Sequence, residues 1–364
     1  MDDVFPSVGF SLFPGIGPMR FTRLVSYFGS AAAAWQAGRN ELIAGGIPEA
    51  IADTLCGFRR TADIGAYLAR AKSLGVAILP RSDTRYPDLL RNISDAPIVL
   101  HVRGKRGVSP IDLTRTVGVV GSRKISRYGA EVTRDISEGL AGAGVTVVSG
   151  MAFGADTIAH KSALAAGGAT VAVLGCGVDI AAPASNAWLY REIIESGRGA
   201  VVSEMPLGVR PSKLLFPVRN RIIAGLSLGT VVTEGTEHSG ALITASYAAS
   251  QGREVFAVPG PVTSVMSRAP LILLKNGAAL VERADDVLSV LGIASRKTPE
   301  KDGDPASSDA RRVIASIAGG HKHVDDIVRE SGLTAQKAAA ILTVLEIEGK
   351  VRNYGDNVFG LSQD

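Results

Sequence analysis

The chain has 364 residues, 46% of them apolar and 42 of them glycine, with a net charge of +4. That length fits about two or three domains of a globular protein, and no apolar run of about 18 residues is present to cross a bilayer. The two cysteines, Cys56 and Cys176, stand far apart and in no Cys/His cluster, which excludes a disulfide framework and a zinc site, and the N-terminus lacks the pattern of a secretory leader, which predicts a cytoplasmic protein.

Residues 5 to about 72 read as helical. A Pro14-Gly15-Ile16-Gly17 turn opens one amphipathic segment, and Gly45-Gly46-Ile47-Pro48 separates two more. Such units fit a helix-hairpin-helix, or SAM-like, domain over 1–75, whose glycine turns can offer N–H groups to a DNA phosphate. Plain glycine caps explain the same residues, and a packing role is the simpler reading. From Val76 the pattern changes to short β-branched runs between helices. Strands are predicted at 76–79, 98–102, 117–120, 145–149, 170–174, 200–203, 229–233 and 254–258. This alternation predicts an α/β core over 76–295, an extended Rossmann-like parallel sheet covered on both faces, with ligands at the carboxyl ends of the strands.

The small polar motifs fall at those ends. Val120 runs into Gly121-Ser122-Arg123, where glycine permits close approach, serine offers a hydroxyl and arginine a charge. Ser149 leads into Gly150-Met151-Ala152-Phe153-Gly154-Ala155-Asp156, then His160 and Lys161. Phe153 is a candidate for stacking on a base, and Lys161 a candidate cation beside it. Asp156 and His160 share a helix face, and without a third ligand they read as a hydrogen-bonded structural pair. Gly175-Cys176-Gly177 lacks the last glycine of a dinucleotide fingerprint, and no Walker loop is present, so neither NAD nor a P-loop nucleotide is expected.

The stretch from Phe216 to Gly260 is the most informative. Arg219 and Arg221 flank Asn220 where a short apolar helix is expected to begin, placing two guanidiniums near a helix N-terminus. Ser239-Gly240 opens the next helix after a predicted buried strand; it is either a phosphate cradle or an ordinary N-cap. Between His101 and Ala130 seven basic residues (Arg103, Lys105, Arg106, Arg115, Arg123, Lys124, Arg127) meet one acidic residue. From Met205 to Thr233 four basic residues, Arg210, Lys213, Arg219 and Arg221, meet none. Together they predict a continuous positive track of the kind a nucleic acid needs.

Gly-Ser-Arg at 121–123, SGMAFGAD with His160, LGCGVD with Asn186, SEMP at 203–206, FPVRNRIIAGLS at 216–227 and TEGTEHSGALITA at 233–245, closing with REVFAVPG, occur in one order. In that order they resemble the DNA processing protein A family (DprA/Smf), over roughly residues 5–295. The resemblance implies a single-stranded DNA binder that forms homodimers and hands the strand to the RecA recombinase, as in natural transformation. It implies no catalytic chemistry, no cofactor and no metal. The strand site it implies comprises Gly121, Ser122, Arg123, Arg219, Asn220, Arg221, Ser239, Gly240 and Thr244. One departure stands out: Ser267-Arg268-Ala269-Pro270-Leu271 replaces the family's Ser-x-Gly-x-Asn, with Arg268 a candidate compensating charge. More distantly, the core resembles phosphoribohydrolases that release bases from nucleoside monophosphates. Their Pro-Gly-Gly turn is missing, and Ile243 and Thr244 occupy the region of their catalytic glutamate.

Residues 296–308 have linker composition. Over 309–364, helices at Arg311–Ile317, Val324–Glu330 and Thr334–Gly349 and a hairpin at Val351–Leu361 predict a winged helix. Seven basic and seven acidic residues between Asp309 and Leu361 cancel, and the third helix carries only Lys337 as a cation. A helix that reads bases presents more donors than that, so the module is expected to bind protein or to add little to DNA affinity.

Overall fold

The computed structural model describes residues 3–105, 111–294, 305–318, 320, 322–347 and 349–361, with only the backbone of 305–308. Arg106 and residues 296–304 of the expected linker lie outside them. The chain divides into two compact units, Met1–Arg296 and Lys297–Asp364.

In the first unit the strands are β1 (Val76–Pro80), β2 (Val99–Arg103), β3 (Thr116–Val120), β4 (Thr146–Ser149), β5 (Thr170–Val173), β6 (Gly199–Ser203), β7 (Gly229–Val232), β8 (Glu254–Ala257) and β9 (Ala279–Leu280). They form one sheet in the order β1-β2-β6-β5-β4-β3-β7-β8-β9. From β3 to β9 every pairing is parallel, as the alternation of strands and helices predicts. β1 and β2 differ: β1 pairs with β2, and β2 with β6, in antiparallel fashion. A parallel connection needs a crossover of about a dozen residues, usually a helix packed on the sheet. Between β1 and β2 the only helix is the single turn Asp88–Arg91, so the chain doubles back.

Strand β3, Thr-Val-Gly-Val-Val, is buried along its whole length because helices cover both faces. On one face Val120, Val148, Val171 and Val232 pack with Ile222 and Ile223 of the helix Leu215–Gly225. On the other, Val117, Val119, Val147 and Phe256 pack with Ile136 and Leu140 of the helix Arg127–Gly142 and Ala159 and Ala163 of the helix Ala155–Ala165. Each large side chain sealed this way contributes about 1.5–3 kcal/mol.

The N-terminal helices between Val4 and Ser73 gather Phe10, Phe21, Leu24, Leu42 and Leu55 into a core completed by Ile98 and Val99 at the start of β2. The Gly15-Ile16-Gly17 turn buries Ile16 and caps the helix Pro18–Phe28, with Pro18 in its first turn. Gly46, at φ +88°, makes the left-handed turn before the helix Glu49–Thr61. Both glycine turns thus join helices of this core. Tyr67 of the helix Ile64–Ser73 lies 2.8 Å from His101 Nε2, and its hydroxyl accepts from the Leu207 N–H at 2.9 Å, fastening this helix to the sheet.

The second unit is a winged helix. Helices Pro305–Ile317, Val324–Ser331 and Ala335–Ile347 enclose Val313, Ile317, Ile327, Leu342 and Leu345, and the hairpin Val351–Asn353/Val358–Leu361 adds Val351 and Phe359. A two-residue strand, Lys322–His323, completes its sheet. The first helix begins at Pro305, so the last four positions of the expected linker are helical.

Candidate functional site

Strand β3 sits where the strand order reverses: β4 lies on one side and β7 on the other. In such sheets the connections leaving adjacent strands part company, and a crevice opens at the carboxyl edge. A cavity of about 300 Å³ occupies that crevice. Its walls come from the turn after β3 (Gly121 to Lys124), the turn after β4 and the helix that follows it (Ala152, Asp156), the helix Leu215–Gly225 (Arg219, Asn220, Ile223), the turn after β7 and the helix it opens (Thr236, Ser239, Gly240, Ala241 and Thr244), and Met266.

Gly121 is required by close approach. A Cβ there would stand 2.8 Å from both Ala155 Cβ and Thr233 Oγ1. Ser122 closes its own turn, its hydroxyl donating to Lys124 O at 3.0 Å and accepting from Lys124 N at 3.1 Å. It shapes the loop, which leaves Arg123 and Lys124 exposed at the mouth. Arg123 lies over the Phe216 ring, 5.2 Å from its centroid. Ser239 caps the helix Gly240–Ser250 by accepting from Ala241 N at 3.3 Å, so the N-cap reading holds while Ser239 and Gly240 also line the cavity. That helix N-terminus supplies positive potential. Asn220 Nδ2 donates to Gly240 O at 3.3 Å, and Thr244 Oγ1 donates to the same oxygen at 3.4 Å.

Arg219 forms the floor. It is 4% exposed, donates through Nη1 to Val173 O, and its Nε has no hydrogen-bond partner among the described residues. A Cβ on residue 150 would run into the guanidinium, which is why glycine stands there. Burial pushes Arg219 down to about 10, while the neighbouring Asp156 carboxylate acts the other way. Burial likewise raises the Asp156 carboxyl, against the lowering effect of Arg219 and of the Gly150 and Ala152 N–H groups, which donate to it at 3.1 and 3.2 Å. His160 is not bonded to Asp156; its Nδ1 lies 2.6 Å from Thr170 Oγ1. Burial and the charge of Arg219 push its imidazole down to about 3. The expected Asp156/His160 pair is thus two separate structural residues.

The cavity brings together Gly121, Ser122, Arg123, Arg219, Asn220, Ser239, Gly240 and Thr244. Phe153, Lys161 and Arg221 are not among its walls. Phe153 is 49% exposed and Lys161 is exposed on the neighbouring helix. Arg221 is buried, ion-paired with Glu204 and with Asp95 at 3.4 Å. The helix starts at Leu215, so Arg219 and Arg221 lie beyond its first turn and point to different sides. The positive track is also shorter than expected. Arg115 precedes β3, and Arg103 ends the antiparallel β2 opposite Val201 at the middle of β6, where β2 runs toward the amino end of β6, so neither stands at the carboxyl edge. Arg268 is exposed and lines no part of the cavity. Its neighbours do matter: Gly235 N donates to Met266 O at 2.7 Å and Ala269 N to Gly235 O at 2.8 Å, pinning this segment beside the turn after β7.

Sequence reasoning missed Glu234. It is 3% exposed and accepts from Ser126 N at 2.8 Å and Ser126 Oγ at 2.6 Å, while Ser126 caps the helix Arg127–Gly142 by accepting from Gly129 N at 3.0 Å. Glu234 directs its carboxylate at that cap and does not line the cavity. Among the described residues Asp156 is the only carboxylate lining the cavity, and no described histidine or cysteine joins it there. The arrangement holds anions and bases better than it moves protons.

Residues 77–292 match the sequence model of DNA recombination-mediator protein A, and residues 297–357 that of the DprA winged helix domain. Protein Smf of Escherichia coli is 37% identical over 281 residues, covering 75% of this chain and 74% of that protein. DNA processing protein DprA of Streptococcus pneumoniae is 42% identical over 209 residues, covering 57% of this chain and 71% of that protein. The X-ray structure of a Streptococcus pneumoniae DprA superposes with a TM-score of 0.69 at 32% identity, over 79% of this chain and 98% of that one. The Helicobacter pylori DNA processing protein A, solved for its single-stranded DNA binding mode, gives 0.52 at 25% identity, over 59% of this chain and 95% of that one.

Proposed function

The chain belongs to the DNA processing protein A family, DNA processing proteins with a role in recombination, and from that premise we propose that it binds single-stranded DNA at the cavity beside β3 and loads the RecA recombinase onto the strand. The observation that carries the reading is the cavity itself. Exposed Arg123 and Lys124 guard its mouth, a helix N-terminus forms one wall and buried Arg219 the floor. Phosphates are held at the mouth by charge and backbone N–H groups, and a base enters between Ile223, Ala241 and Met266. Such contacts carry little sequence preference. The Helicobacter pylori relative's single-stranded DNA binding mode supports the choice of ligand. Homodimerisation and a place in natural transformation or general recombination belong to the same proposal, as does a division of the first unit into an N-terminal helical domain to residue 75 and a core from 76 to 295.

Proton-transfer chemistry has poor support. Asp156 is engaged by two backbone N–H groups, and Glu234 faces Ser126. The protein is therefore proposed to be a binder without catalytic activity. A fluorescence-anisotropy titration of labelled poly-thymidine against a duplex of equal length, at several salt concentrations, tests this. A salt-sensitive preference for the single strand, with no base released from nucleoside monophosphates, is expected. Base release without strand preference would make the cavity a mononucleotide site and the phosphoribohydrolase resemblance the informative one.

A further inference from the structure

The carboxyl edge of the sheet carries an exposed ring that no part of the cavity uses. Trp188 is 46% exposed in the first turn of the helix Ala187–Glu195, which buries Leu189, Tyr190 and Ile193 and leaves Arg191 exposed. The start of this helix is fastened to the cavity wall. Asn186 Nδ2 donates to Met151 O at 3.0 Å and to Thr157 Oγ1 at 2.9 Å. Met151 adjoins Ala152, which lines the cavity, and Ala152 adjoins the exposed Phe153. Lys161 stands one turn beyond Thr157 on the same face of its helix. Lys161 and Arg191 are exposed, and neither has an ion-pair partner among the described residues.

We infer that bases of a strand leaving the cavity stack on Phe153 and then Trp188, with Lys161 and Arg191 neutralising the phosphates between them. This rests on the strand-binding reading and extends its footprint beyond the cavity. Exposed rings interleaved with unpaired cations suit unpaired bases, because every base has a face to stack and every phosphate a charge to meet. A protein interface would instead deplete lysine around its aromatic centre, and a duplex keeps its bases stacked inside.

The chain has two tryptophans, and Trp35 is committed to a contact 5.0 Å from the Phe10 ring, so Trp188 is the natural reporter. The test uses the full chain with oligothymidines of about four and about sixteen nucleotides. The longer strand is expected to quench intrinsic fluorescence in the native protein and not in Trp188→Phe. Trp188→Ala should weaken the longer strand about tenfold and leave the shorter one unchanged. Tight binding of the longer strand without quenching, and with unchanged affinity in Trp188→Ala, would overturn the inference while strand binding stands. Equal loss for both lengths in both variants would overturn it too, since stacking on Trp188 predicts a length dependence. Failure of the native protein to bind either oligonucleotide would remove the strand-binding reading itself.

Discussion

Replacing Glu234 with glutamine decides whether the carboxylate beside the cavity is a cap or a chemical group. In the structure it accepts from Ser126 N at 2.8 Å and from Ser126 Oγ at 2.6 Å, at the start of the helix Arg127–Gly142, and is 3% exposed. The amide keeps one acceptor oxygen, and its NH2 must then face the serine hydroxyl, which already accepts from Gly129 N. A charged hydrogen bond becomes a neutral one, worth about 1 kcal/mol, and the negative charge at a helix N-terminus is lost, worth about 0.3–1 kcal/mol. The sum is about 1.3–2 kcal/mol, or a melting temperature lower by about 2–3 °C in the unit Met1–Arg296. Urea unfolding of the native protein, Glu234→Gln, Ser126→Ala and the double variant measures it. Because the two residues share a bond, the double variant should lose about 0.5 kcal/mol or more less than the sum of the singles. Strand affinity should be unchanged in Glu234→Gln at temperatures where it is folded. Unchanged stability together with altered ligand binding would refute the reasoning and return Glu234 to the site.

Arg123→Ala should weaken binding about equally for all sequences and flatten the log–log salt dependence by about 0.7, the value for one phosphate on a single strand; an unchanged slope would remove Arg123 from the interface. Gly121→Val puts a side chain against Ala155, Thr233 and Glu234 O, and should cost about 1–3 kcal/mol of stability while narrowing the cavity, read as weaker binding by folded protein. His101 is buried against Tyr67, and burial pushes its imidazole down from 6.5 to about 4. The unfolded chain takes up a proton below about pH 6.5 that the native chain refuses until about pH 4, so this contribution is complete above pH 6.5 and declines as the pH falls, by about 3 kcal/mol. Denaturant midpoints across that range should fall less steeply in His101→Gln than in the native protein. Removing residues 296–364 should leave single-strand affinity essentially unchanged, since Lys337, the one cation of the third helix, is paired with Asp309 at 2.6 Å; a large loss would contradict this.

The sheet was legible because its strands are buried on both faces and so read as unbroken β-branched runs, Val117–Val120 being the plainest. Strand β9 escaped notice because two residues, Ala279 and Leu280, carry no periodicity. The antiparallel β1 and β2 were misread as part of the parallel set, although the lack of a full helix between them was visible. At the site, the glycine and serine turns announced themselves by lying at strand ends. The roles of the two arginines did not. Placing the helix start at Leu215 separates Arg219, in the cavity floor, from Arg221, which meets Glu204 and Asp95. Glu234 was beyond reach of local reasoning, since Ser126 is 108 positions away. The charge count overstated the track because it ignored where along the sheet each arginine stands: neither Arg103 nor Arg115 is at the carboxyl edge.

The most direct test of strand binding beside β3 is photocrosslinking of a thymidine oligonucleotide carrying photoreactive bases, with the adducts mapped by mass spectrometry on the full chain. Adducts concentrated in residues 121–124, 216–223 and 236–244, and abolished by excess unlabelled single strand but not by duplex, are the predicted result. Adducts confined to the winged helix or the N-terminal helices, with the cavity segments unmodified, would contradict it.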